Sequence, residues 1–306
     1  MPKGLSPHLG FVQPRGFPGL PEGWSSEWET FEGLFALLHH VDENAWTSPR
    51  ALIVFHGLGE HGGRYLHFPH YFKDSVQAVY CVDFRGHGRS EGLRGHVDHF
   101  DVLVDDAILS IRRLDERLRK RFGKSELHVF AHSMGGMIAL RAFHKDPKLP
   151  VKSASISSPL LGIRVEVPLA KRTAAHLLSK VWGSLQLSSE LDPQTLSHDQ
   201  AVSDAYIADR LVHRKLTPRF YAELLRAIAD TAGFSGGITV PLQFLVAMQD
   251  KVIDSKLVLK FAKKLKSRDK EVKTYPEFFH EVVNEIGKEK VFEDIRAWIT
   301  KHSATN

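Results

Sequence analysis

One serine lies where neighbouring residues dictate a sharp turn. Ala131-His132-Ser133-Met134-Gly135-Gly136 follows the apolar run Leu127-His128-Val129-Phe130 and precedes the helical stretch Met137-Ile138-Ala139-Leu140. A serine between strand and helix, with small residues two before and two after it, has the form of a nucleophile elbow. The turn strains the serine backbone and projects Oγ from the sheet edge. The neighbours must be small because chain passes close to chain there. The next amide, that of Met134, can then donate to an oxyanion. Such a nucleophile needs a base, and the base needs an acid to orient it. After Ser133, the apolar run Leu242-Gln243-Phe244-Leu245-Val246-Ala247 ends in Met248-Gln249-Asp250, which puts a carboxylate just past a buried strand. Asp254 competes for that role but reads as the cap of the next helix. Glu277 is a third choice. The chain carries 18 histidines, so histidine alone means little, yet only His280 and His302 follow Asp250. His302 lies in the polar tail, so His280 is the expected base. Nucleophile, acid and histidine then occur in the hydrolase order.

A second loop completes the chemistry. Leu52-Ile53-Val54-Phe55 is continuously apolar, as a strand covered on both faces must be. It ends in His56-Gly57-Leu58-Gly59-Glu60-His61-Gly62-Gly63-Arg64-Tyr65. A glycine-rich loop after the third strand can turn a backbone N–H toward a substrate carbonyl, and Leu58 is the expected donor, paired with Met134. A phosphate-binding loop would need Gly-Lys-Ser/Thr or the Gly-x-Gly-x-x-Gly spacing, and the loop has neither.

These blocks, with Asp83-Phe-Arg-Gly-His-Gly-Arg-Ser90, Asp250-Lys-Val and His280-Glu281, resemble the monoacylglycerol lipase family, which includes lysophospholipases. The resemblance runs from about Trp28 to Ile299. It implies an α/β-hydrolase fold: a mostly parallel sheet with helices on both faces and a helical cap insertion. It also implies a Ser133, Asp250 and His280 triad, with Leu58 and Met134 as oxyanion donors and no metal or cofactor. Glu60 and Arg64 would brace the loop or contact a glycerol head group. Ala131 departs from the family's usual glycine but is still small. The implied activity is serine carboxylester hydrolysis of monoacylglycerols to fatty acid and glycerol, through an acyl-enzyme. Alternatives are a lysophospholipase, another carboxylesterase or serine peptidase on the same fold, and a non-catalytic lipid-binding protein. An Asp nucleophile, as dehalogenases and epoxide hydrolases use, is excluded by Ser133.

The elements that must position these residues follow from patterning. Glu29-Thr30-Phe31 and Leu34-Phe35-Ala36-Leu37-Leu38 read as a leading hairpin around Glu32-Gly33. Strands are expected near Leu52, Ala78, Leu127, Ser153, Leu242 and Glu271, alternating with helices, which predicts a parallel sheet. From Val102 to Arg121 the apolar positions Val104, Ala107, Ile108, Ile111, Leu114 and Leu118 have helical spacing, with Gly123 as terminator. The alternation breaks between about Leu160 and Phe234. The expected division is an irregular arm over 1–24, a core over 25–159 and 236–306, and a cap over 160–235. A first cap helix would start at Pro168, with Ala170, Ala174, Leu177, Leu178, Val181 and Trp182 on one apolar face and an early end at Gly183. A second would start at Thr217-Pro218 with Tyr221, Leu224, Leu225 and Ile228. Leu177, Leu178 and Trp182 are the expected substrate contacts, lining an acyl channel or meeting lipid at a lid edge.

Composition excludes several classes. Hydrophobic content of 42% and charged content of 25% suit a soluble globular chain. One cysteine, Cys81, forbids an internal disulfide and favours a reducing, cytoplasmic setting, while the cap is where peripheral contact with a membrane surface is expected. No apolar run is long enough to span a bilayer, and residues 1–23 lack the apolar core of a secretory signal. The net charge of +5 includes Arg117-Leu-Arg-Lys-Arg121 and Lys263-Lys264-Leu-Lys266, read as solvated helix faces or an attraction to anionic lipid. No motif supports a nucleic-acid partner.

Overall fold

The apolar runs leave no polar side chain for water on either face, so their strands must be covered twice. The computed structural model describes residues 10–164, 177–189, 191–267 and 269–303. Strands β1 (Trp24–Phe31), β2 (Leu34–Val41), β3 (Arg50–Phe55), β4 (Ala78–Asp83), β5 (Glu126–His132) and β6 (Val151–Ser157) come first. Two short strands, β7 (Leu187–Ser188) and β8 (Lys215–Leu216), precede β9 (Leu242–Ala247) and β10 (Lys270–Tyr275). The main sheet has eight strands in the order β1-β2-β4-β3-β5-β6-β9-β10. Within that sheet β1–β2 and β2–β4 pair antiparallel and the other neighbours parallel. The hairpin turns on Glu32 and Gly33, with φ of 48° and 78°. Positive φ at both central residues matches the twist of a two-residue hairpin.

Side-chain alternation divides the core. Ile53 and Phe55 of β3 point into one cluster with Tyr80, Val82 and Phe143, whereas Leu52 and Val54 point into another with Phe68, Phe72 and Phe292. The first face is covered by α2 (Asp101–Phe122) and α3 (Met134–Lys145), the second by the short α1 (Phe68–Phe72) and the last helix (Glu289–Lys301). Gly123 ends α2 at φ 71°, its N–H returning to Arg119 O at 2.8 Å. The arginines of the basic run on α2 are paired at the surface: Arg117 with Glu27, Arg119 with Asp115 and Arg121 with Glu43.

Several histidines are core residues. His39 and His67 are fully buried, and burial, which disfavours the charged imidazole, pushes each down to about 3. His67 is ringed by Phe17, Phe68, Tyr71 and Phe292. Phe17 belongs to residues 10–23, which form no helix or strand before β1, and its ring packs on the core at His67. Cys81 is likewise buried, and burial raises its thiol pKa.

Between β6 and β9 the chain makes an excursion. It holds the β7–β8 ribbon, α4 (Gln200–Ala208) and α5 (Pro218–Ala232). Thr217 starts α5, its Oγ1 accepting from Phe220 N and Pro218 taking the first turn. The expected first helix is described only in part. Pro168, Ala170 and Ala174 lie outside the described residues, residues 177–181 are helical, and Gly183 follows that helix. The sequence pattern did not predict α4, a nine-residue helix with weak amphipathic contrast. After β9, α6 (Ser255–Lys264) returns the chain to β10. Among the described residues, no helix is long and apolar enough to cross a membrane.

Candidate active site

Ser133 joins the end of β5 to α3 with φ 53° and ψ −116°, a backbone region that only glycine enters freely. Its carbonyl accepts from Met137 N at 3.1 Å and Leu160 N at 3.0 Å, while its N–H donates to Ser157 O at 2.9 Å. Packing forces the turn to stay tight. A Cβ on Gly135 would come within 2.5 Å of the Phe55 and His56 carbonyl oxygens. A Cβ on Gly57 would meet Ser133 Cβ at 3.3 Å. Ala131 is fully buried between Phe55 of β3 and Ile156 of β6. Met134 opens α3, so its amide belongs to the first-turn donors that no intrahelical carbonyl accepts.

Asp250 sits three residues beyond β9 and is buried. Its Oδ1 accepts from Val252 N and Ile253 N, both at 2.8 Å, and its Oδ2 lies 2.7 Å from His280 Nδ1. A carboxylate only accepts, so Nδ1 carries the proton and Nε2 keeps a lone pair. Burial opposes charge on His280, but Asp250, together with Glu281 and Glu60, outweighs it and raises the imidazole above its ordinary value. Burial likewise opposes charge on Asp250, and His280 with the two amides holds its carboxyl low. Asp254 is engaged elsewhere, accepting from Lys256 N at 2.9 Å to cap α6, and Glu277 is exposed. The His132 ring stands 4.7 Å from that of His280. Burial, aided by His280, depresses it to about 3, so it stays neutral beside the pair.

The loop after β3 is braced by its own side chains. Glu60 Oε1 accepts from Gly57 N at 2.5 Å and from Tyr65 OH at 3.1 Å. Its Oε2 accepts from Arg64 Nη1 at 2.5 Å. Arg64 then reaches Glu281 with two bonds, Nη1 to Oε1 at 2.7 Å and Nη2 to Oε2 at 2.9 Å. His56 accepts from Phe84 N through Nε2, so its Nδ1 donates to Gly57 O at 2.7 Å. It is neutral, with burial depressing it to about 3. The excursion between β6 and β9 grips every loop of the site. His213 N donates to Gly59 O, Arg164 Nη1 donates to Asp250 O, and Glu281 N donates to Leu196 O. His61 Nε2 donates to Asp209 Oδ2, which also accepts from Val12 N of the arm.

Ser133, His280, Leu58, Glu60 and Glu281 open on one cavity of about 630 Å³. The rest of its wall is mainly apolar, from Leu160, Leu178, Leu216, Tyr221, Leu224 and Ile253 among others. The structure divides the expected substrate contacts. Leu178 lines the cavity, but Leu177 and Trp182 are 61% and 60% exposed and do not. Leu178 is turned inward, and the helical rotation that does this sends its neighbour Leu177 outward. Arg64 also lies off the cavity wall, its guanidinium engaged by Glu60 and Glu281. Sequence reasoning missed Tyr206 and His213 as lining residues. Tyr206 lies on α4, the helix it did not foresee. Glu281 was visible as part of a motif, but its partner Arg64 is 217 residues away. Among the described residues, no cluster of ligating side chains could hold a metal ion.

Comparison with known proteins places this geometry. A family model described as serine aminopeptidase, S33, matches residues 47–287. Monoglyceride lipase of Homo sapiens is 31% identical over 262 residues, covering 84% of this chain and 85% of the relative. Phospholipase YtpA of Bacillus subtilis is 28% identical over 264 residues, covering 84% of this chain and 98% of the relative. The crystal structure of a Paleococcus ferrophilus monoacylglycerol lipase superposes with a TM-score of 0.73 at 27% identity, covering 83% of this chain and 95% of that one.

The contact beneath the turn makes a prediction. Gly135→Ala pushes a methyl group against the backbone of β3, which cannot retreat. The variant is expected to melt lower, by a few degrees for each kcal/mol lost, and to react more slowly with a fluorophosphonate. Calorimetry and labelling rates check both; unchanged melting and labelling would show that the turn tolerates a Cβ.

Proposed function

The chain belongs to the S33 serine aminopeptidase family of α/β-hydrolases, and from that premise we propose that it cleaves monoacylglycerols to fatty acid and glycerol. It is a serine hydrolase. One observation carries the substrate reading: the strained serine and His280, the latter oriented by Asp250, open on one mainly apolar cavity of about 630 Å³. That volume falls in the range for one ligand-sized molecule.

In this reading Ser133 is the nucleophile, and His280 Nε2 takes its proton as Oγ attacks the ester carbonyl. The amides of Leu58 and Met134 hold the oxyanion; losing one such donor costs roughly 3–4 kcal/mol of barrier. His280 then protonates the departing glycerol oxygen and next deprotonates the water that releases the acid. Asp250 fixes the tautomer throughout. An aminopeptidase must instead hold a substrate ammonium. The cavity's acids, Glu60 and Glu281, are both engaged by Arg64, which favours an ester over a peptide with a free amino terminus. A lysophospholipid is the next substrate to test, given the phospholipase among the relatives.

Residues 160–235 act as the cap over the core of 25–159 and 236–306, with residues 1–24 as the arm. The exposed Leu177, Val181 and Trp182 support contact between the cap and a lipid surface, and the single buried cysteine suits a cytoplasmic enzyme.

A fluorophosphonate should label the protein, and Ser133→Ala should abolish both labelling and monoacylglycerol hydrolysis; labelling that survives would overturn the nucleophile. The rate should fall as pH drops, because protonated His280 cannot act as base, and the midpoint should lie above the ordinary histidine value of 6.5. Asp250→Asn should move that limb to lower pH and cut kcat by up to about 10⁴, whereas Asp254→Asn should leave the limb in place. Last, Leu178→Asn with Leu224→Asn should depress long-chain more than short-chain turnover, since each methylene buried is worth about 0.8 kcal/mol. Trp182→Gln should spare hydrolysis of a dispersed short ester. Equal losses on long and short esters by the folded double variant would show that these walls do not read chain length.

A further inference from the structure

We infer that Glu281 is a positioning residue that, through Arg64 and Glu60, locks the loop carrying Leu58 to the loop carrying His280. The inference rests on the triad and oxyanion assignments above.

The geometry leaves few other uses for these groups. Glu60, Arg64 and Glu281 are all buried, at 3%, 8% and 3% exposed. Two carboxylates and one guanidinium are costly to bury unless each is bonded well, and breaking one member leaves an uncompensated charge. Here the bonding is complete at both ends. Glu281 takes the planar fork of Arg64 on both oxygens and a third bond from Asn284 Nδ2 at 2.7 Å. Arg64 spends Nη1 on both carboxylates, so a rotation that favours one loosens the other. Glu60 passes the constraint to Gly57 N, next to Leu58 in the chain. The peptide of Glu281 is fixed as well, its N–H donating to Leu196 O at 2.9 Å. A continuous path of bonded groups therefore runs from the residue after His280 to the residue before Leu58. A relative shift of the two loops would separate the base from the donors that hold the oxyanion. Misplacement by about 1 Å can cost on the order of 10²-fold in rate.

The same cluster acts on His280 electrostatically. Burial and Glu281 raise the Glu60 carboxyl whereas Arg64 holds Glu281 low, so after Asp250 it is Glu281 that contributes most of the negative charge felt by the imidazole. Asp250, Glu281 and Glu60 favour its protonated form; burial and the nearby His132 oppose it.

The test is Glu281→Gln in the full chain, assayed well below its melting temperature on a monoacylglycerol. The expected result is a kcat lowered by about tenfold or more with KM little changed. The acidic limb of the rate profile should move to lower pH. Glu281→Asp restores the charge with a shorter reach, so the limb should return toward its original position while kcat stays low. A folded Glu281→Gln variant with wild-type kcat and an unmoved limb would overturn the inference. So would a loss that merely follows the unfolded fraction with the limb in place. If neither variant folds, Asn284→Ala keeps all three charges and removes one bond to Glu281. A fall of a few-fold in its kcat at constant KM supports the inference, and an unchanged kcat overturns it. Failure of the Ser133→Ala test would remove the triad itself, whereas an inert Ser133→Ala variant beside an unaffected Glu281→Gln one would remove only the link.

Discussion

At Ser133 the chain is held in a conformation that costs a residue with a side chain about 1–3 kcal/mol, and much of the surrounding structure exists to keep it there. β5 delivers the residue, α3 takes the chain away at once, and the carbonyls of Phe55 and His56 press against Gly135 from the neighbouring strand. Relaxing the serine would require β3 to move, and β3 lies near the middle of an eight-stranded sheet with core on both faces. The strain is thus transferred from one residue to the least yielding part of the molecule. The same crowding brings the loop after β3 beside the serine, so one close approach fixes the geometry of two functional loops.

The segment between β6 and β9 is fastened to that arrangement in several places. It meets the loop after β3 at Gly59 and His61, the acid loop at Asp250 and the histidine loop at Glu281. Arg164, Leu196, Asp209 and His213 therefore serve as scaffolding for the site as much as its cavity walls do. The apolar side chains with no such fastening, Leu177, Val181 and Trp182, stand out in solvent. Within one insertion, fixed and exposed parts divide along the chain.

The middle of the sheet was legible in the sequence because β3, β4 and β9 are short, mainly apolar runs, and such runs can be buried in few ways. Gly123 and Thr217-Pro218 were legible as helix boundaries because capping is local chemistry. So were the different settings of Asp250 and Asp254, since one lies just past a strand and the other caps a helix. Local rules could not reach further. The sequence gives Leu177 and Leu178 the same hydrophobicity, and only tertiary packing separates the one facing the cavity from the one facing water. The α4 helix is brief and nearly uniform around its circumference, so periodicity had little to detect. The Arg64–Glu281 pair joins distant segments that are adjacent only after the sheet is assembled.

The buried histidines carry a consequence for the whole molecule. His39, His56, His67 and His132 remain neutral in the folded protein until about pH 3, whereas an unfolded chain protonates each near 6.5. Between those values the unfolded ensemble binds more protons than the native state, so stability declines as acidity rises. The contribution is fully present above pH 6.5 and drains away toward about 3. The imidazoles that stay uncharged around the elbow and within the aromatic core thus make acidification a denaturing force, directed at the interior rather than at surface ion pairs.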